Sequence, residues 1–271
     1  MYFSVREPEG TETPLIVEIP HAGVGVDPES LATLAAPARA IGQDADLYVD
    51  ELYARAPALG ATVLVSHMSR YVCDLNRAET DLDGLAVQGA PARSAPHGLV
   101  WRATTENQPA LQAPLSPREL ERRLELVYRP YHRTLATLVE HKRRRFGYAI
   151  VLCAHSMPSS GRLGHTDAGR PRADVVPGSR GRTTAATAVI DAPDELAKEI
   201  GWTVSHDDPY RGGYSTGHYG RPDARVHAVQ VELARRLYMD ERTLSKKLND
   251  FGNVSRYCDT LVARLGATTL G

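Results

Sequence analysis

Ten histidines are scattered through the 271 residues, and two of them, His21 and His155, stand directly behind apolar runs rich in β-branched side chains. His21 follows Leu15-Ile16-Val17-Glu18-Ile19-Pro20, and His155 follows the run from Tyr148 to Ala154. Strand exits are where ligands collect in α/β sheets. Two imidazoles and one carboxylate make up the three protein donors of a catalytic zinc and leave its fourth position to water. Asp44, Asp46 and Asp50 are rivals for that carboxylate. The apolar spacing around them predicts a helix over about 45–58, with Asp46 and Asp50 one turn apart on one face. Glu232 lies inside Val229-Gln230-Val231-Glu232-Leu233, where a carboxylate is costly unless it is paired, metal-associated or functional. It is the best candidate for a general base, against the plainer alternative of an outward-facing acid paired with Arg235 or Arg236. Arg70, Asn76 and Arg77 could grip a substrate carboxylate through forked guanidinium geometry, or pair on the surface with Asp74 or Glu79.

Short β-branched runs predict strands at 15–19, 61–66, 71–75, 148–153, 202–205 and 226–233. Ser116-Pro117-Arg118-Glu119 joins a capping box to a first-turn proline and opens a helix expected to run to about 145, kinked at Pro130. Further helices are expected near 194–200 and from about 241. Residues 77–116 read as long irregular connections, and the Gly-, Arg- and Ser-rich stretch 157–187 as a mobile active-site loop. Strands alternate with helices, so one domain over 1–271 is expected, a three-layer α/β/α sandwich with a mostly parallel mixed sheet.

Composition removes several functions. With 32 Lys+Arg against 33 Asp+Glu, the net charge of −1 gives no global attraction to nucleic acid or a membrane surface. The cluster Lys142-Arg143-Arg144-Arg145 ends a helix, where cations complement the dipole. Three cysteines, Cys73, Cys153 and Cys258, form no Cys-x-x-Cys pair, which fits a reducing cytoplasm. Neither a signal peptide nor an apolar run long enough to span a membrane is read. Ser156 lacks a Gly-x-Ser-x-Gly elbow, and neither a phosphate-binding loop nor a dinucleotide fingerprint occurs.

Six segments carry a resemblance in order and spacing: Ile19-Pro20-His21-Ala22-Gly23, Ser69 to Arg77, Tyr128-Arg129-Pro130-Tyr131-His132, Ala154 to Pro158, Pro209 to Tyr214, and Gln230-Val231-Glu232 through Asp240. Across nearly the whole chain they resemble the N-formylglutamate amidohydrolase family. The resemblance implies the fold of the zinc-dependent exopeptidases and one Zn2+ on His21, Asp46 and His155. It further implies Glu232 as general base and Arg70, Asn76 and Arg77 as groups that grip the substrate's carboxylates; the expected mechanism sets Arg70 at the developing oxyanion, Asn76 and Arg77 on the α-carboxylate, and Arg211 and Tyr214 as further substrate-binding groups. The expected reaction is N-formyl-L-glutamate to formate and L-glutamate, a step of histidine degradation. The alternatives are another N-acyl or N-formimino amino acid at the same site, or a non-catalytic binder of acidic small molecules. No oligomeric state follows from the sequence. Asp207-Asp208 and Thr183-Thr184 stand where many family members carry Asn and Cys-Ser, departures that bear on the substrate more than on the chemistry.

Overall fold

Strands built from unbroken Val, Ile and Leu runs need cover on both faces, and that requirement organises the chain. A computed structural model describes residues 1–91 and 96–270. Its principal elements, in order, are β1 (Phe3–Arg6), β2 (Leu15–Ile19), α1 (Pro28–Leu31), α2 (Ala38–Asp44), α3 (Val49–Leu52), β3 (Thr62–Ser66), α4 (Pro117–Arg123), α5 (Arg129–Phe146), β4 (Ala149–Met157), β5 (Val175–Gly178), α6 (Thr187–Glu199), α7 (Tyr214–Tyr219), β6 (Val226–Ala234) and α8 (Leu248–Ala267). The strands form one six-stranded sheet ordered β1-β3-β2-β4-β6-β5. Its inner pairs β3/β2, β2/β4 and β4/β6 are parallel, and the edge strands β1 and β5 are antiparallel. This is the mostly parallel mixed sheet with helical layers that the sequence predicts.

Side chains alternate between the two faces. On β4, Ile150, Leu152 and Ala154 enter a core shared with residues of α3, α6 and α8, whereas Val151 and Cys153 enter a second core with Tyr131, Leu135 and Val139 of α5. His155 continues the second row. On β6, Val226 and Ala228 belong to that same core, so Gln230 and Glu232 lie further along one row of alternate residues. A face that is apolar under the helices thus becomes polar at the carboxyl ends of the strands.

Several elements differ from the expectation. Residues 45–58 do not form one helix: α2 ends at Asp44, α3 begins at Val49, and Asp46 lies in the break, with Tyr48 at φ 68° just before α3. Residues 71–75 are an irregular turn, not a strand. The main-chain carbonyls of Tyr71 and Val72 accept from the buried Arg123 guanidinium of α4 rather than from a neighbouring strand. The kink expected at Pro130 is replaced by a π-helical turn, Leu124–Tyr128, that lets α5 restart with proline in its first turn. The 157–187 stretch contains the buried strand β5, which ends in Pro177-Gly178 and so lacked a strand signature. Residues 202–205 make only one isolated bridge, Val204 with Val175. Within the 77–116 connection, residues 92–95 lie outside the described residues. No helix among the described residues is long and apolar enough to cross a membrane.

Glu18 of β2 is fully buried against α5 and α7, accepting from Ser215 Oγ (2.7 Å) and Tyr131 OH (3.3 Å), while its Oε2 has no partner. Burial raises its carboxyl above the ordinary range, against the Ser215 hydrogen bond and the field of His155. A raised acid favours folding most below its unfolded pKa of about 4.3, and that stability is lost as pH climbs through the folded value. Glu18→Gln cannot ionise. Thermal melts should therefore show its Tm advantage over the wild type growing from pH 5 to pH 8; an advantage independent of pH would remove ionisation as the cause.

Candidate active site

Asp46 is placed beside His21 by the main chain, its N–H donating to the His21 carbonyl at 2.9 Å across the break between α2 and α3. Its Oδ2 lies 2.9 Å from His155 Nδ1 and 3.7 Å from His21 Nδ1. All three side chains are buried, and they offer donor atoms within 4.8 Å of one another, a group that could hold a metal ion. The outer partners suit that use. His21 Nε2 meets Asp74 Oδ1 at 2.8 Å, the carboxylate–histidine arrangement that fixes a ligand ring, and Arg235 Nη2 donates to Asp46 Oδ1 at 3.0 Å, leaving Oδ2 to the histidines. Arg70 Nη2 sits 2.9 and 3.3 Å from the two nitrogens of His21. A donor that close to both at once lies along the lone pair of neither, so the in-plane lone pair of Nδ1 stays available.

Burial opposes ionisation of Asp46, but its hydrogen bond with His155 and the close His21 ring hold it well below the usual carboxylate range. Asp74, also buried, is held low by His21 and Arg70. Its Oδ1 accepts from His21 and from the Asn76 N–H (2.9 Å), and its Oδ2 from Arg70 Nε (3.2 Å) and Trp101 Nε1 (2.9 Å). Glu232 lies directly across from His155 in the β4/β6 register. Burial raises its carboxyl, with nearby His155 opposing and Asp46 reinforcing the rise.

These groups line a cavity of about 370 Å³ that Arg70, Arg77, Arg162, Arg211 and Arg235 also line. Of the rival acids, Asp44 reaches the cavity but is saturated by Tyr71 OH, Thr105 and Arg162. Asp50 is half-buried and outside it. Arg77 pairs with Asp81 at 3.6 Å. The Arg211 side chain makes no ion pair or hydrogen bond among the described residues and is exposed at the cavity. Tyr214 is not brought to the cavity; it packs with Tyr128, His132 and His218, and Tyr210 lines the wall instead. Asn76 is at the cavity, yet its Oδ1 accepts from Ser215 N (3.0 Å) and its Nδ2 donates to Gln230 Oε1 (3.2 Å).

Residues 13–239 match the family model described as N-formylglutamate amidohydrolase. The N-formylglutamate deformylase of Pseudomonas aeruginosa is 35% identical over 84% of this chain and 83% of its own, and that of Pseudomonas putida is 33% identical over 84% and 82%. The chain belongs to the N-formylglutamate amidohydrolase family. The crystal structure of N-formylglutamate amidohydrolase from Ralstonia eutropha superposes with a TM-score of 0.89 at 31% identity, covering 98% of this chain and 97% of that one. A gene product of Agrobacterium tumefaciens shares the fold at TM-score 0.64 and 18% identity, over 97% and 96% of the two chains.

In this member of the N-formylglutamate amidohydrolase family, Asp207-Asp208 and Thr183-Thr184 serve the scaffold. The Asp207 carboxylate accepts from the N–H groups of Ser179, Arg180 and Gly181, and buried Thr184 donates to the Ala228 carbonyl. Neither pair lines the cavity. Sequence reasoning missed Arg235, Asp74, Trp101 and Gln230. Asp74 and Arg235 entered it only as surface counterions, although both flank motif residues closely enough to have been weighed as partners.

Trp101→Phe keeps an aromatic face where Arg70 overlies the indole at 4.5 Å and removes the N–H that Asp74 accepts. Titration against a competing chelator should show divalent-metal affinity falling by about 10-fold, the low end of the loss expected for partners of metal-ligating histidines. Unchanged affinity would mean that Arg70 and the main chain orient Asp74 unaided.

Proposed function

We propose that the protein hydrolyses the amide bond of N-formyl-L-glutamate to formate and L-glutamate with one divalent metal ion, zinc, on His21, Asp46 and His155. The observation that carries this reading is the His–Asp–His group opposite Glu232 in a cavity whose wall is rich in guanidinium groups. The names of the two Pseudomonas relatives supply the substrate. Two ring nitrogens and a single carboxylate oxygen suit zinc; calcium and magnesium favour oxygen-rich shells of six or more ligands.

A bound ion would supply Lewis acidity, polarising the formyl oxygen and making an attacking water more acidic. Glu232, raised by burial, takes the proton of the attacking water and passes it to the leaving nitrogen. Arg70, fixed by Asp74 and by the Asp44 carbonyl, presents its charge beside His21, where negative charge develops on the formyl oxygen. The substrate carries two carboxylates. Arg77 and Arg211 meet them at the cavity wall, and Arg211 has its whole donor fork to give. Asn76 lends its position more than its amide, whose donors and acceptor are engaged by the protein. The three cysteines are free and buried, which supports a cytoplasmic setting.

Elemental analysis of the purified protein, with formate release before and after chelation, tests metal and substrate together. Near-stoichiometric zinc and chelator-sensitive formate release are expected; zinc without formate would shift the reading to another acyl group, and neither, even after zinc is added back, to a binder. Glu232→Gln should retain the metal and lose about 10²- to 10⁴-fold in kcat. Near-normal turnover would remove Glu232 as the base. Arg211→Ala should raise KM for N-formylglutamate by about 10- to 100-fold, one charge-assisted contact, with kcat little changed. An unaltered KM would remove Arg211 from the substrate contacts.

A further inference from the structure

Gln230 lies two residues before Glu232 on the same row of β6 and is 3% exposed. Its amide joins three segments: Oε1 accepts from Gly213 N (2.9 Å) and Asn76 Nδ2 (3.2 Å), and Nε2 donates to Glu232 Oε1 (2.9 Å). The orientation of the amide is not arbitrary. Gly213 N–H can only donate, so the atom facing it must be the oxygen, and the nitrogen is thereby turned toward Glu232. Asn76 is fixed by the same logic, since the Ser215 N–H takes its Oδ1 and turns Nδ2 to Gln230. The loop is pressed hard onto this pair. A Cβ added at Gly213 would fall 2.2 Å from Asn76 Nδ2, so only glycine lets the 209–214 loop, which carries Tyr210 and Arg211, come down here.

We infer that Gln230 is a positioning residue with two separable duties: its oxygen seats the substrate loop, and its nitrogen aims the Glu232 carboxylate. This rests on the proposed role of Glu232 as base. In a buried site a carboxylate held by one directed donor keeps its free oxygen in one place, and a misplacement of about 1 Å can lower a rate by about 10²-fold. Val or Leu at 230 would continue the apolar row but leave Gly213 N and Asn76 Nδ2 without their acceptor.

The two duties predict different kinetics. Gln230→Glu keeps an oxygen for Gly213 and Asn76 but places oxygen, not N–H, against Glu232. It should lower kcat by about 10²-fold with KM close to the wild type. Gln230→Leu removes both and should lower kcat similarly while also raising KM. Metal content, read by elemental analysis, should stay at the wild-type level in both. In a Glu232→Gln background, Gln230→Leu should bring no further fall in kcat, because the group it aims is already gone. Wild-type kcat in Gln230→Glu or a full additional loss in the double variant, with Glu232→Gln itself slowed as expected but measurable, would overturn the inference and leave the base standing. Activity retained by Glu232→Gln alone would instead overturn the base.

Discussion

A single buried carboxylate, Asp74, is where the active region is tied together. It is 1% exposed, and four separate groups, the His21 ring, the Arg70 guanidinium, the Trp101 indole and the Asn76 main chain, donate to its two oxygens. The donors come from three stretches: the end of β2, the segment after β3 that carries Arg70, Asp74 and Asn76, and the 96–105 connection. A buried charge is tolerable when its lone pairs are filled, and here filling them forces those stretches into register. Removing Asp74 would at once release the ring of His21 and strand the half-buried Arg70 guanidinium.

Asn76 shows the same economy two residues on. The carbonyls of Leu75, Asn76 and Arg77 accept from His132 Nε2, Tyr214 N and Tyr128 OH, at 3.0, 3.1 and 2.8 Å. Three consecutive main-chain acceptors are thus satisfied without a strand partner, as buried acceptors must be. This gives the Tyr128 to His132 block its physical purpose. Its aromatic side chains hold the turn from which Asn76 and Arg77 project, and burial keeps His132 pushed down to about 4, a neutral donor at physiological pH.

The strands that end at the site were legible because β2 and β4 are nearly continuous apolar runs followed or closed by a histidine, and β6 is a Val- and Ala-rich run in which Glu232 stands out. What misled sequence reasoning was local pattern without its tertiary partner. Tyr71-Val72-Cys73 has strand composition, yet Arg123 of α4 takes the carbonyls of Tyr71 and Val72 that a strand neighbour would have taken. Asp46 and Asp50 have helical spacing, but Asp46 lies in a break where its N–H donates to the His21 carbonyl. Arg235 looked like a surface counterion because its partner, Asp46, lies 189 residues away in the chain.

The π-helical turn at Leu124–Tyr128 acts as a phase corrector between two halves of one long rod. Each residue advances an α-helix by about 100°, so a one-residue widening rotates everything before it relative to everything after it. Arg123 sits just ahead of the turn and grasps the carbonyls of Tyr71 and Val72; Tyr128 and His132 sit at its end and beyond, and grasp those of Arg77 and Leu75. All four contacts land on one short segment. Deleting a single residue from 124–128 would leave the rod helical and its composition almost unchanged, yet turn Arg123 away from the chain that Tyr128 still faced.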